Sequence, residues 1–474
     1  MTNQLSSRTI GGYSWLSKAL LAALVSVIAV GGFAGGLALS RGVPAAGSNP
    51  GAATAISAAF AGSDDLAEVV QRFPLTAADM KETLESAALA VTANGYVHLA
   101  WASRTNKEVW TLYLTTSQDR GATFSPPRVV AESSVHRVPS KMRGKTITRD
   151  MRMLPRLAAQ GNDLLLAWIE TAHGNTHVQY LVARSTDGGQ TFAEPVAMHQ
   201  DSHARPTYTS FAAGPEGLVA ASWLDHRTGM QQPAATVTNL GHAASPSEIT
   251  LQAGGGKGVC PCCPTNVTFA ADGTLLLAFR NQQDGYRDIW IARQPPGSTT
   301  FEPPAPIVPP RWKFDGCPHD GPALAIAGNQ LHVAWMDASS GKPRVHFGSG
   351  DLNLKDFRFH EANPASTGAQ GHPALVAGAD RALHLVWDEG ASPDAQSQAD
   401  AHAHGEPGGG ETSRSIVYRR SSAGDDAPLV GFVAAAKDGF QLRPAIATSP
   451  QGDVYVAWVE LTEDGKSIAV ARLQ

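Results

Sequence analysis

Four cysteines fall in two short segments, Cys260-Pro-Cys262-Cys263-Pro264 and Cys317-Pro-His319-Asp320. Three thiols within four residues, joined by a fourth thiol with an imidazole two positions on, form a soft donor set suited to copper or zinc. The same even number of sulfurs could close one or two disulfides in an oxidising compartment, with three connectivities open. A c-type haem does not fit, because Pro264 stands where haem attachment needs His. Arginine supplies a second kind of chemistry. Arg205, Arg227, Arg280, Arg287 and Arg443 could fork onto a carboxylate or sulfate, or form structural pairs with Asp225, Asp284 or Asp288. Asp225-His226-Arg227 and the run from Arg280 to Asp288 are denser in charge than a strand end needs, and fit either an anion or sugar site or inter-strand pairing. A stretch rich in Ala, Asp, Gln and Gly, 391–412, carries His402-Ala-His404 and reads by composition as a loop, either a metal-collecting arm or a solvated insertion.

These groups need a scaffold, and the chain advertises one by repetition. Apolar residues alternate up to an aromatic seven times, at Trp101, Trp168, Trp223, Phe279, Trp335, Trp387 and Trp458, with spacings of 67, 55, 56, 56, 52 and 71. A second phrase, Pro followed by an alternating strand, precedes most copies, beginning at Pro155, Pro206, Pro264, Pro322, Pro373 and Pro444. Even spacing of this length is that of a four-stranded propeller blade, with the proline phrase as innermost strand A and the aromatic phrase as strand B. The 47 Gly and 31 Pro among 474 residues, against 17% charged, agree with many short strands and turns. The last copy has no chain left for its fourth strand, so a strand near Ala67 to Phe73 is expected to complete it. Seven blades follow from the count, with six as the alternative.

A third signal follows two of the aromatics by 16 and 17 residues: Ser117-Gln-Asp119-Arg-Gly121-Ala-Thr123-Phe124 and Ser185-Thr-Asp187-Gly-Gly189-Gln-Thr191-Phe192. Weaker echoes occur at Ser349-Gly-Asp351 and around Ser298 to Phe301. Both full copies match the Asp-box pattern, so the chain from about residue 65 to 474 resembles the sialidase-like (BNR-repeat) β-propellers, as a non-standard member. The resemblance implies an all-β fold in which the box is a structural hairpin between strands C and D. It also implies, for an enzyme, an exo-sialidase type of glycoside hydrolase with three arginines on a sugar carboxylate, a Tyr nucleophile paired with Glu, and an Asp acid/base. Here the nearest match to that family's arginine-bearing opening motif is Gln71-Arg72-Phe73-Pro74, about a dozen residues before the expected first strand A, Ser86 to Val91. Tyr208, Tyr286 and Tyr418 have no neighbour that marks a nucleophile.

Strands in a blade alternate in direction, so D-to-A and B-to-C loops open on one face and Asp boxes on the other. The first face is expected to gather Arg152, His203, Arg205, the four cysteines, His319, Asp320, His372 and Arg443 from the A strands. From the B strands it takes Glu170, Asp225, Arg227, Arg280, Asp337, Asp388 and Glu389. The predicted ligand-binding set is therefore Arg205, Asp225, Arg227, Arg280, Arg287, Asp320 and Arg443, and the predicted metal set Cys260, Cys262, Cys263, Cys317 and His319. Its ligand is either a metal ion or a carbohydrate or small anion.

A net charge of −5 and the lack of a dense basic run exclude nucleic acid as a partner. Arg8 and Lys18 precede an uncharged stretch from Ala19 to Leu39, 21 residues, long enough to cross a bilayer with the N-terminus inside. The expected organisation is a cytoplasmic segment 1–18, a membrane anchor or signal 19–39, a flexible linker 40–64 and a propeller 65–474. Either the anchor is retained or it is cut near Val43-Pro44-Ala45; both place the propeller on the periplasmic or extracellular side, and cleavage would release it. Nothing in the sequence bears on oligomeric state.

Overall fold

The computed structural model describes residues 66–75, 87–142, 145–150, 153–171, 177–201, 205–240, 247–390, 413–421, 428–433, 435–436 and 439–473. The apolar segment 19–39, the linker 40–64, Arg152, His203 and the 391–412 insertion lie outside the described residues. Among the described residues no helix is long and apolar enough to cross a membrane.

The chain alternates short strands with tight turns, and every strand but Ala67–Pro74 pairs antiparallel with a chain neighbour. Five sheets take four consecutive strands each, from 88–134, 156–197, 207–250, 266–306 and 323–361. The remaining strands make one eight-stranded sheet of two antiparallel runs. Residues 369–432 supply the first; 439–473 together with Ala67–Pro74 supply the second, and a short parallel contact of Ser413 and Arg414 with Gly439 and Phe440 joins them. These are blade-like units, numbered below as sheets 1 to 7 in chain order. A separate hairpin, Arg137–Met142 with Lys145–Asp150, projects between sheets 1 and 2. The innermost strands, Ala88–Val91, Arg156–Gln160, Thr207–Ala213, Asn266–Phe269, Ala323–Ala327, Ala369–Ala377 and Gly439–Thr448, each touch the next, and the last touches the first.

The seven repeated aromatics sit in the second strands and are buried between sheets. Residues two apart on a strand share a face, and that periodicity places an acid beside the indole N–H. Trp168 donates to Glu170 (2.9 Å), Trp223 to Asp225 (3.0 Å), Trp335 to Asp337 (3.1 Å) and Trp387 to Glu389 (2.8 Å). Four of the acids at B-strand ends thus anchor their own blade.

Ala67–Pro74 pairs with Gly465–Leu473, so both ends of the described chain share sheet 7. Phe73 packs its ring 5.1 Å from Trp101 and 6.0 Å from Phe124, tying that strand to sheet 1. Arg72 of the Gln71-Arg72-Phe73-Pro74 segment therefore lies in the outermost strand of sheet 7, where it pairs with Glu460.

Each Asp box is a closed hydrogen-bond ring. Asp119 accepts from Ser117 Oγ (2.7 Å), Thr123 N (2.9 Å) and Thr123 Oγ1 (2.6 Å), while Gly121 N donates to Ser117 Oγ (2.8 Å). These bonds, Thr123's foremost, pull the Asp119 carboxyl down to about 2. Asp187 is held the same way by Ser185 and Thr191, with Gly189 N on Ser185 Oγ. The boxes are also joints. Gly121 has φ +83°, and a Cβ there would lie 2.6 Å from the ring of Tyr455 in sheet 7. Tyr455 Oη donates to Arg120 O (2.9 Å), and Arg120 pairs with Asp453 (2.7 Å). Gly121→Ala is expected to cost about 1–3 kcal/mol, from left-handed strain plus overpacking at the seam between first and last sheets. Urea unfolding with an unchanged m-value would register it; a loss below a few tenths would mean that the seam does not depend on this contact.

Candidate metal centre and neighbouring carboxylates

Cys260–Pro264 lies in the loop from sheet 3 into the innermost strand of sheet 4, and Cys317–Asp320 in the loop from sheet 4 into that of sheet 5. These are equivalent loops of adjacent blades, so they meet. Cys260 N donates to Arg280 O (3.1 Å) and Thr265 N to Tyr208 O (3.1 Å), fixing the first loop on its neighbours. A Cβ on Gly321 would fall 2.4 Å from Pro264 O, so only glycine allows the second loop this close.

The outcome is a buried thiol cluster. Cys260, Cys262 and Cys263 are buried and Cys317 is half-buried; none is in a disulfide. Cys260 Sγ lies 3.7 Å from Cys262 Sγ and 3.5 Å from Cys263 Sγ. A disulfide needs about 2.05 Å, whereas sulfurs bound at about 2.3 Å to a tetrahedral ion sit about 3.8 Å apart. The Sγ atoms of Cys260, Cys262 and Cys263 lie within 4.8 Å of one another, and so do Cys262 Sγ, Cys317 Sγ and a His319 ring nitrogen. The buried Cys/His cluster can therefore chelate a metal. Hydrogen bonds from Cys262 and Cys263 hold the Cys260 thiol well below its ordinary range, while burial pushes Cys262 and Cys263 well above it.

Arg280 provides the countercharge. It is 1% exposed, and its Nε, Nη1 and Nη2 donate to the carbonyls of Asp320 (3.0 Å), Arg287 (2.7 Å) and Met336 (2.8 Å), with its guanidinium 5.2 Å over Trp312. No carboxylate hydrogen-bonds it among the described residues. Burial opposes its charge, yet Cys263, Asp320, Cys260 and Asp337 together hold its pKa above the usual arginine value. Arg287, also buried, donates to Phe314 O (3.1 Å) and Gln282 Oε1 (2.6 Å).

A second cluster gathers where sheets 5, 6 and 7 meet. Asp388, with no exposed surface, accepts from Arg414 Nε (2.7 Å), His372 Nδ1 (2.7 Å) and Arg443 N (2.9 Å). Burial works against its ionisation, but Arg414 and His372 hold its carboxyl well below the carboxylate range. Asp320 Oδ2 accepts from His372 N (2.6 Å), Asp320 Oδ1 is buried without a hydrogen-bond partner among the described residues, and burial pushes this carboxyl up. His372 and Arg443 both have φ +52°, and Tyr208 +51°, at register shifts in the innermost strands of sheets 6, 7 and 3. A left-handed, bulged residue re-aims its side chain, a feature that no residue type in those strands announces. The His372 side chain is 15% exposed, and of its two ring nitrogens only Nδ1 is hydrogen-bonded among the described residues.

The predicted arginines separate. Arg227 pairs with Asp225 (2.6 Å), Asp201 (3.3 Å) and Glu248, so Asp225 and Arg227 serve sheet 3. Arg280 and Arg287 line the thiol cluster, Asp320 and Arg443 join the His372 group, and Arg205 is exposed. Among the tyrosines, Tyr418 Oη is bonded to His384 Nδ1 (2.7 Å). That pair borders a cavity of about 510 Å³ with Asp380, Arg420, Asp453 and Arg472 on the Asp-box face, away from the cysteines. Motif reading puts His372 and Asp388 on this face but in neither predicted set and does not mark Arg414; the tryptophan-x-acid spacing in the sequence does mark Glu170, Asp225, Asp337 and Glu389 as structural.

No protein-family model matches this chain, and no curated protein matches it. Solved structures similar to it include a protein of unknown function from Dyadobacter fermentans, 12% identical over 86% of this chain and 99% of that one, with a TM-score of 0.44. The leech intramolecular trans-sialidase is 10% identical over 75% of this chain and 70% of that one (TM-score 0.43). The β-propeller domain of the Trilobed protease from Pyrococcus furiosus is 7% identical over 82% and 95% (TM-score 0.46). These likenesses are distant, and the description of the fold rests on this chain's own strand pairing.

Proposed function

We propose that this chain is an exported, seven-bladed sialidase-like propeller, tethered by residues 19–39, whose business face binds a soft metal ion, copper or zinc, through Cys260, Cys262, Cys263, Cys317 and His319. Seven four-stranded runs and seven innermost strands in cyclic contact support the blade count. The observation that carries the metal reading is the buried Cys260 sulfur 3.7 and 3.5 Å from those of Cys262 and Cys263, beside a buried guanidinium that no carboxylate hydrogen-bonds among the described residues. Metal analysis and thiol counting on anaerobically purified full-length protein test it. Stoichiometric copper or zinc, lost in Cys262→Ser, is the expected result. Protein with neither metal nor free thiols would instead establish disulfides and sink the metal reading.

A second reading, an exo-sialidase-type glycoside hydrolase acting on acidic sugars, is favoured by one feature. His372, oriented by Asp388 through Nδ1, stands beside Asp320, and among the described residues neither His372 Nε2 nor Asp320 Oδ1 has a hydrogen-bond partner. A histidine and two carboxyls on one face are the raw material of acid–base catalysis. Turnover of a fluorogenic sialoside that falls at least 100-fold in both Asp320→Asn and His372→Asn would support this reading. Absence of turnover in the wild-type protein would remove it.

A further inference from the structure

Resting on the metal reading, the geometry points to two copper(I) ions per chain, bridged by the Cys262 thiolate. The donors form two sets of three, Cys260/Cys262/Cys263 and Cys262/Cys317/His319, each with its ligand atoms within 4.8 Å of one another. Cys262 belongs to both. The five donors do not form one set, nor do any four of them. An ion bound at about 2.3 Å to sulfur and about 2.1 Å to nitrogen keeps any two of its ligands within about 4.6 Å. One ion therefore cannot collect all five donors as they are arranged, nor a tetrahedral four drawn from both loops. Two ions sharing Cys262 use every donor.

Three-donor sites rich in thiolate suit copper(I), a soft ion that accepts low coordination, over zinc, which takes four ligands in structural sites. Charge agrees. Four thiolates and two copper(I) ions sum to −2, and Arg280 and Arg287 stand beside the cluster, buried and hydrogen-bonded to neutral acceptors. Loading releases the thiol protons to solvent and changes no oxidation state, so copper must arrive as copper(I).

The test is anaerobic titration of the full-length protein with copper(I) held by a chromophoric chelator, counting ions per chain, with thermal unfolding to confirm that each variant folds. Wild type should retain two. Cys263→Ser and Cys317→Ser should each retain one, and His319→Gln, which spares every thiol, should also retain one. Cys262→Ser should retain none, because both ions lose the bridge. X-ray absorption on the loaded protein should show a copper–copper scattering path that is absent in Cys317→Ser. One ion in the wild type, abolished by Cys263→Ser and Cys317→Ser alike, would overturn the bridged pair while leaving a single-ion centre intact. No copper in the folded wild type would refute the metal reading itself, and the pair with it.

Discussion

Asp388→Ala should lower stability by about 3–5 kcal/mol, the cost of removing one partner from a buried ion pair. The carboxylate has no exposed surface and takes three donors from three strands: Arg414 of sheet 6, His372 of the innermost strand of sheet 6, and the Arg443 N–H of sheet 7. Its loss takes the Asp388 countercharge from the 2% exposed Arg414 guanidinium and loosens the seam between the last two sheets. Replacing both partners, Asp388→Leu with Arg414→Met, should cost far less than the sum of the single changes, because no charge is then left buried. The effect also has a pH signature. Asp388's folded pKa lies below its unfolded value of about 3.9, so its stabilisation is full at neutral pH and is lost as pH falls below about 4 toward the folded value. Wild-type and Asp388→Ala unfolding curves should therefore converge in acid. A difference under 1 kcal/mol at pH 7 would mean that the cluster is solvated and the site is looser than described.

Arg280→Met carries the second large effect. Three carbonyls, those of Asp320, Arg287 and Met336, would lose their donors inside the protein. Each unsatisfied buried acceptor costs about 1–3 kcal/mol, so a loss on the order of 3–5 kcal/mol is expected after partial relaxation. The substitution also removes positive charge from beside Cys263 and Cys260, so retention of metal against a competing chelator should fall at least tenfold. Arg280→Lys separates the two effects. It keeps the charge but not the planar three-way fork, so it should recover metal retention better than stability. Equal loss of both in Lys and Met variants would show that Arg280 acts only as a strut between sheets 4 and 5.

Much of the architecture is legible along the chain because blades are built from neighbours. Within a sheet strands pair with their neighbours in sequence, so the aromatic repeat, the proline phrase and the two Asp boxes each report a local antiparallel unit. The repeat also brings the two cysteine segments together: Cys260 and Cys317 precede innermost strands of consecutive blades, and equivalent loops of consecutive blades must lie side by side. Even the closing strand at Ala67–Pro74 could be anticipated, because the last repeat is one strand short.

The residues alone determined which chemistries were on offer: soft sulfur donors, forked cations, and carboxyls at strand ends. Only the tertiary structure decided how they were divided. Arg227 lies just beyond, and Arg280 at, the end of the second strand in adjacent blades, yet one is consumed by the Asp225 two residues before it and the other turns onto backbone carbonyls beside the thiols. His372 meets Asp320 across 52 residues of sequence and Asp388 meets Arg443 across 55, through backbone bulges at His372 and Arg443 that no local pattern encodes. Strand pairing is repetitive and local, so sequence period reveals it; side-chain direction at a strand's end depends on bulges, burial and the nearest available countercharge, which exist only once the blades have packed together.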